Sequence, residues 1–218
     1  AFCLGACPSP PPHTPARIMP TTRYTDAAVE PLTLAEAKRH LRVDDDDADT
    51  NADIASDIAT ARMDAEHRLQ RSLITTVWQY TADEFPVRDW RDCRDWHDRA
   101  HIRLPMGQVN SIVHIKYTDV GGVLRTWAAD QYQLHADRIT PAPGVSWPDT
   151  LADKAGAVEV RYSAGYGDAA ASVPAPIKSW LRLAVADLWE QRRRSTEKPL
   201  VPQHFADHLL DAYRIWSV

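Results

Sequence analysis

The sequence is poor in the patterns from which most protein chemistry is built. It holds three cysteines in 218 residues, Cys3, Cys7 and Cys93, and they form no zinc spacing with a histidine pair. Their thiols are expected to be reduced, as in a cytosolic setting. No apolar run approaches the roughly 20 residues a membrane helix needs, so no membrane partner is expected. Basic charge is not in excess: a formal net charge of -5 argues against a protein that holds nucleic acid by neutralising many phosphates. A Gly-x-Ser-x-Gly nucleophile elbow is also missing. Gly165-Tyr166-Gly167 lacks the third glycine and the Lys-Ser or Lys-Thr ending of a nucleotide loop, and reads as a turn leaving a strand.

Two clusters imitate metal sites and fail on inspection. Asp45, Asp47 and Asp49 alternate as in an EF-hand, but the sixth position is then Thr50 instead of glycine and the twelfth is Ser56 instead of glutamate. A solvated helix-entry loop accounts for them. His97 and His101 stand four apart around Asp98, without the glutamate of a zinc protease motif. Arg192-Arg193-Arg194 reads as the charged end of a helix, where cations suit the negative pole. Neither a catalytic group nor a cofactor is implied, and the expectation is a protein that is not an enzyme.

What is present is an ordinary foldable chain, 44% hydrophobic. Residues 1–30, with Pro8, Pro10, Pro11, Pro12 and Pro15, read as a flexible arm. Thr33-Leu34-Ala35-Glu36 is a capping box and predicts a helix over 34–42. After the acidic run Asp44-Asp45-Asp46-Asp47, the spacing of Ile54, Ile58, Ala61, Ala65 and Leu69 predicts a long helix over 51–71, with Arg62, Asp64, Glu66 and Arg68 largely off its apolar stripe. The period then becomes alternating. Strands are expected over 74–81, 102–104, 109–117, 123–127, 132–134 and 158–162, with a hairpin turn at Asp119-Val120-Gly121-Gly122. Residues 83–100 read as an exposed charged excursion. Helical spacing returns after Pro174 and Pro176, through Ile177, Leu181, Val185 and Leu188, and a last helix follows Pro202 with Phe205, Leu209, Leu210 and Tyr213 on one side. The expected fold class is α+β: a helical bundle core, residues 31–72 and 173–214, with an inserted small antiparallel β subdomain, residues 73–172, and a C-terminal tail, 215–218.

In order and spacing these stations resemble the head-to-tail connector, or adaptor, family of long-tailed phages and gene transfer agents. The residues that carry the resemblance are Thr33 to Val43 and the acidic loop, the strand with Val77-Trp78, Ile102-Arg103-Leu104-Pro105, Val109-Asn110-Ser111-Ile112, Val160-Arg161-Tyr162-Ser163-Ala164-Gly165-Tyr166-Gly167, Val173-Pro174-Ala175-Pro176 and Val201-Pro202. The resemblance implies a structural virion protein without cofactor, assembled in a host cytoplasm. It implies a ring, usually of twelve subunits, beneath a portal protein. The ring continues the channel for double-stranded DNA towards a stopper or tail-terminator protein. It further implies portal-binding residues in the apolar C-terminus, Tyr213, Ile215, Trp216 and Val218, and makes the acidic loop of Asp44, Asp45, Asp46 and Asp47 a candidate lining of the channel. The alternative is a DNA-binding packaging or regulatory module, which would need a basic face. A small hydrolase ranks third and would need convergent polar groups in a closed pocket.

Overall fold

The computed structural model describes residues 21–44, 47–86, 101–191 and 204–215. Helix α1, Leu34–Leu41, begins where the capping box places it. The Glu36 amide donates to Thr33 Oγ1 at 3.2 Å and the Thr33 amide donates to Glu36 Oε2 at 3.0 Å. The bond from the Thr33 amide, more than any other contact, holds the Glu36 carboxyl below its usual range. A depressed carboxyl stabilises the fold above its unfolded pKa and loses that contribution as the pH falls through the folded value. Thr33→Ala, which keeps that amide but removes the hydroxyl that accepts from the Glu36 amide, is expected to cost about 1 kcal/mol in denaturant unfolding near neutral pH.

Helix α2, Ala48–Leu69, starts three residues before the expected position because Asp47 caps it, accepting from the Thr50 amide at 3.2 Å. Its buried side holds Ile54, Ile58, Ala61, Ala65 and Leu69, but Arg62 and Glu66 are buried as well. Helix α3, Ala175–Glu190, buries Ile177, Trp180, Leu181 and Val185, whereas Leu188, expected on that face, is exposed. Helix α4, His204–Asp211, adds Leu210. These faces meet in one apolar cluster together with Leu32, Leu73, Ile74 and Val173.

The remainder is β structure. Strand β1, Thr22–Arg23, lies within the stretch read as an arm and pairs antiparallel with β2, Thr76–Ala82. The other strands are β3, Ile102–Arg103; β4, Val109–Thr118; β5, Leu124–Trp127; β6, Tyr132–His135; β7, Arg138–Pro141; and β8, Val158–Ala164. They form a five-stranded sheet of order β1-β2-β8-β4-β5 and a three-stranded sheet of order β3-β7-β6, antiparallel throughout. In the central strand β8 alternation is strict: Val158, Val160, Tyr162 and Ala164 are buried and the residues between them are less so. Tyr162 is wholly enclosed, donates its hydroxyl to the Pro105 carbonyl at 2.7 Å, and burial pushes its phenol well above the ordinary range.

The β part has its own core, with Ile115 and Ile139 beside an aromatic group in which the Phe85 and Trp147 rings stack 4.8 Å apart and Trp127 lies 4.8 Å from Trp147. Phe85 corrects the reading of the charged stretch. It is buried although Asp83 and Glu84 precede it, and Asp83 accepts from the Gly156 amide at 2.8 Å, so the first residues of this stretch belong to the core. Residues 87–100 lie outside the described part.

The expected fold class also needs correction. Among the described residues the chain forms eight strands in two antiparallel sheets and four α-helices, and it is not a helical bundle core with a small insertion. The physical reason is length and pairing. Helices α1 and α4 have eight residues each, little more than two turns, and cannot supply bundle-length seams. The strands bury a second core of their own, and β1, which precedes every helix, belongs to their larger sheet.

Candidate assembly surfaces

Three surfaces bear on function. The first is the acidic loop. Asp44 and Asp47 are exposed, and the Asp47 carboxylate sits at the N-terminus of α2, where the helix dipole favours a negative charge. Asp45 and Asp46 lie outside the described residues.

The second is the C-terminal segment. Beyond α4 the Tyr213 amide donates to the Leu210 carbonyl at 2.9 Å, and the chain turns back to the end of α2, where the Ile215 amide donates to the Leu69 carbonyl at 3.0 Å. Tyr213 packs half-buried on the helical core. Ile215 fits over Gly107 so closely that a Cβ there would stand 2.4 Å from Ile215 Cδ1. Of the expected portal-binding residues, these two thus rest on their own chain. Trp216 and Val218 lie outside the described residues.

The third surface, which the sequence reading missed, is the β4–β5 hairpin. Asp119 builds its turn, accepting from the amides of Gly121 at 3.0 Å and Val123 at 2.9 Å, and Gly122 takes a φ of 79° that a side chain would resist. Arg125 bonds the same carboxylate, and chiefly that bond holds Asp119 below the usual carboxylate range. On this rigid turn Val120, Val123 and Leu124 are more than half exposed, as is Val113 at an irregularity of β4. Strand β5 ends the five-stranded sheet and has no further strand beside it among the described residues. Val120, Val123 and Leu124, exposed together at the tip of one hairpin, are side chains of the kind that mark interaction sites. The signal was in the sequence: the alternation that buries Ile115 and Trp127 must turn Leu124 outward.

A buried ionic cluster ties the helical part to the edge of the larger sheet. Glu66 Oε2 accepts from Arg62 Nη1 at 3.2 Å and from Arg23 Nη2, while Oε1 takes the Leu73 amide at 2.9 Å. Arg62 Nε also donates to Glu30 Oε2 at 2.8 Å, and the Arg23 guanidinium lies over the Trp78 ring, 4.9 Å from its centroid. Residues before α1, in α2 and at the entrance to β2 are thereby tied together. His101 precedes β3, half-buried, and His97 lies outside the described residues. Among the described residues no three His, Cys, Asp or Glu side chains converge as metal ligands would.

This fold matches chains of gene transfer agent particles. A chain in the neck of an empty particle, determined with six-fold symmetry, superposes with a TM-score of 0.70 at 22% identity, over 92% of this chain and 97% of that one. A chain in the virion of the native particle gives 0.68 at 23% identity, with the same coverage of both chains. A chain in the neck of the native particle, determined with twelve-fold symmetry, gives 0.65 at 22% identity, again over 92% and 97%. The likeness is one of fold, nearly end to end. No family model and no curated protein matches the chain.

Proposed function

We propose that the chain is a structural subunit of the neck of a phage-like particle. It acts as a head-to-tail adaptor that joins a portal protein to a stopper or tail-terminator protein. Twelve copies form a ring around a lumen through which double-stranded DNA passes, and the chain carries out no reaction. The observation that carries this reading is a fold shared with neck chains over almost the whole of both partners. The order of sequence stations that resembles the adaptor family points the same way. Ring formation by cyclic symmetry requires two different faces on each subunit, and the exposed hairpin patch supplies one.

In this role the acidic loop of Asp44, Asp45, Asp46 and Asp47 faces the lumen, where carboxylates let DNA slide and basic groups would brake it. The tail binds the portal through Trp216 and Val218, with Tyr213 and Ile215 as its hinge on the subunit. Burying a tryptophan of about 200 Å² contributes several kcal/mol per subunit at about 25 cal/mol/Å². Removing residues 216–218 is therefore expected to leave thermal unfolding unchanged while abolishing co-purification with the portal of the same particle. A truncated, folded subunit that still attaches rules out tail docking. Electron microscopy of purified particles tests the whole reading, which fails if this chain accounts for no density between portal and tail.

A further inference from the structure

We propose that the β4–β5 hairpin docks on the outward face of α2 in a second copy of this chain, and that this contact is the repeating joint of the ring. The inference rests on the adaptor reading and specifies its interface. A closed ring needs contacts in which one patch meets a different patch on the next subunit. Among the described residues, two of the exposed apolar sites lie on separate elements suited to such a contact. One is the hairpin, with Val120, Val123 and Leu124. The other is Met63 on α2 together with Val29, whose neighbour Glu30 is bonded to Arg62 and so ties that loop to the turn of α2 bearing Met63.

Charge distinguishes this pairing from hairpin against hairpin. The register of Lys116 with Thr126 and of Thr118 with Leu124 puts Lys116 on the same sheet face as Leu124. Glu159, opposite Lys116 on β8, is already engaged by His114 and Arg161. On α2, seven-residue steps align Asp49, Ser56 and Met63 on one outward stripe, with Asp53 and His67 beside it. A basic, apolar hairpin face thus meets an acidic, apolar helix face, while two hairpins would oppose like charges.

The test is photo-cross-linking of the full chain at high concentration, with a benzophenone amino acid in place of Leu124 and the products mapped by mass spectrometry. Intermolecular products are expected on α2 or the segment around Val29. A Met63→Lys substitution, at an exposed position, is expected to lower their yield about tenfold by placing a second cation against the hairpin face that bears Lys116. Products that map elsewhere on the second copy, or that survive Met63→Lys undiminished, overturn the pairing and leave the adaptor reading standing. A chain that yields no intermolecular product with a non-selective amine cross-linker, and no ring in purified particles, overturns both.

Discussion

Glu66→Ala is expected to lower the stability of the folded chain by about 3–5 kcal/mol, the cost of breaking a buried ion pair from one side. The carboxylate is almost wholly enclosed and serves Arg62, Arg23 and the Leu73 amide at once. Truncation leaves Arg62 with Glu30 as its carboxylate and leaves the Leu73 amide without an acceptor in a place water does not reach. Urea unfolding measures the loss through the midpoint, with the slope held as a check on two-state behaviour. Glu66→Gln separates charge from shape, since the amide oxygen still accepts from Leu73 but the countercharge is gone. It is expected to fall between wild type and alanine. An alanine variant within about 1 kcal/mol of wild type would show that the cluster is solvated and does not hold the fold together.

The cluster also shows where the sequence was opaque. Helix α2 was legible as a helix because its aliphatic stripe repeats at three and four residues, and its start was misplaced only because the capping role of Asp47 was hidden in a run of like residues. Arg62 and Glu66 stand at the margin of that stripe, and helical spacing cannot tell a charged residue at the edge of a buried face from one in solvent. What buries them is Arg23 and Glu30, more than thirty residues away, and a pairing over that distance leaves no local trace. Phe85 was hidden for a related reason, one aromatic among acids whose companions Trp127 and Trp147 come much later. The strands of β4 and β8 were read from alternation, but β1 is two residues long and β7 ends in proline, so neither carries a pattern to read. Undercounting such short strands is what made the β part look small beside the helices. For the assembly surfaces, the apolar C-terminus was conspicuous. The hairpin patch was not, because an exposed aliphatic in a strand looks the same in sequence as a buried one until the register is known.

Gly165→Ala is expected to cost about 3 kcal/mol or more, well beyond an ordinary glycine replacement. Gly165 follows β8 at a φ of 147°, a conformation open to glycine and strained for any residue with a side chain. The added carbon would also stand 2.5 Å from the Thr75 amide nitrogen and 2.6 Å from the Ile74 carbonyl carbon, which are backbone atoms with no rotamer to escape into. Here the two connections between helices and sheets cross side by side: the Thr75 amide donates to the Gly167 carbonyl at 3.0 Å and the Tyr166 amide to the Leu73 carbonyl at 3.4 Å. Forcing them apart also disturbs the seating of Leu73 and Ile74 in the helical core. Gly122→Ala provides the control, because its φ of 79° is strained too but open space surrounds the position, so it should cost only about 1–2 kcal/mol. Thermal unfolding of both variants measures the difference. Equal losses would mean that backbone conformation alone makes Gly165 necessary, whereas a loss at Gly165 larger by about 2 kcal/mol would locate the constraint in the close crossing of the two connections.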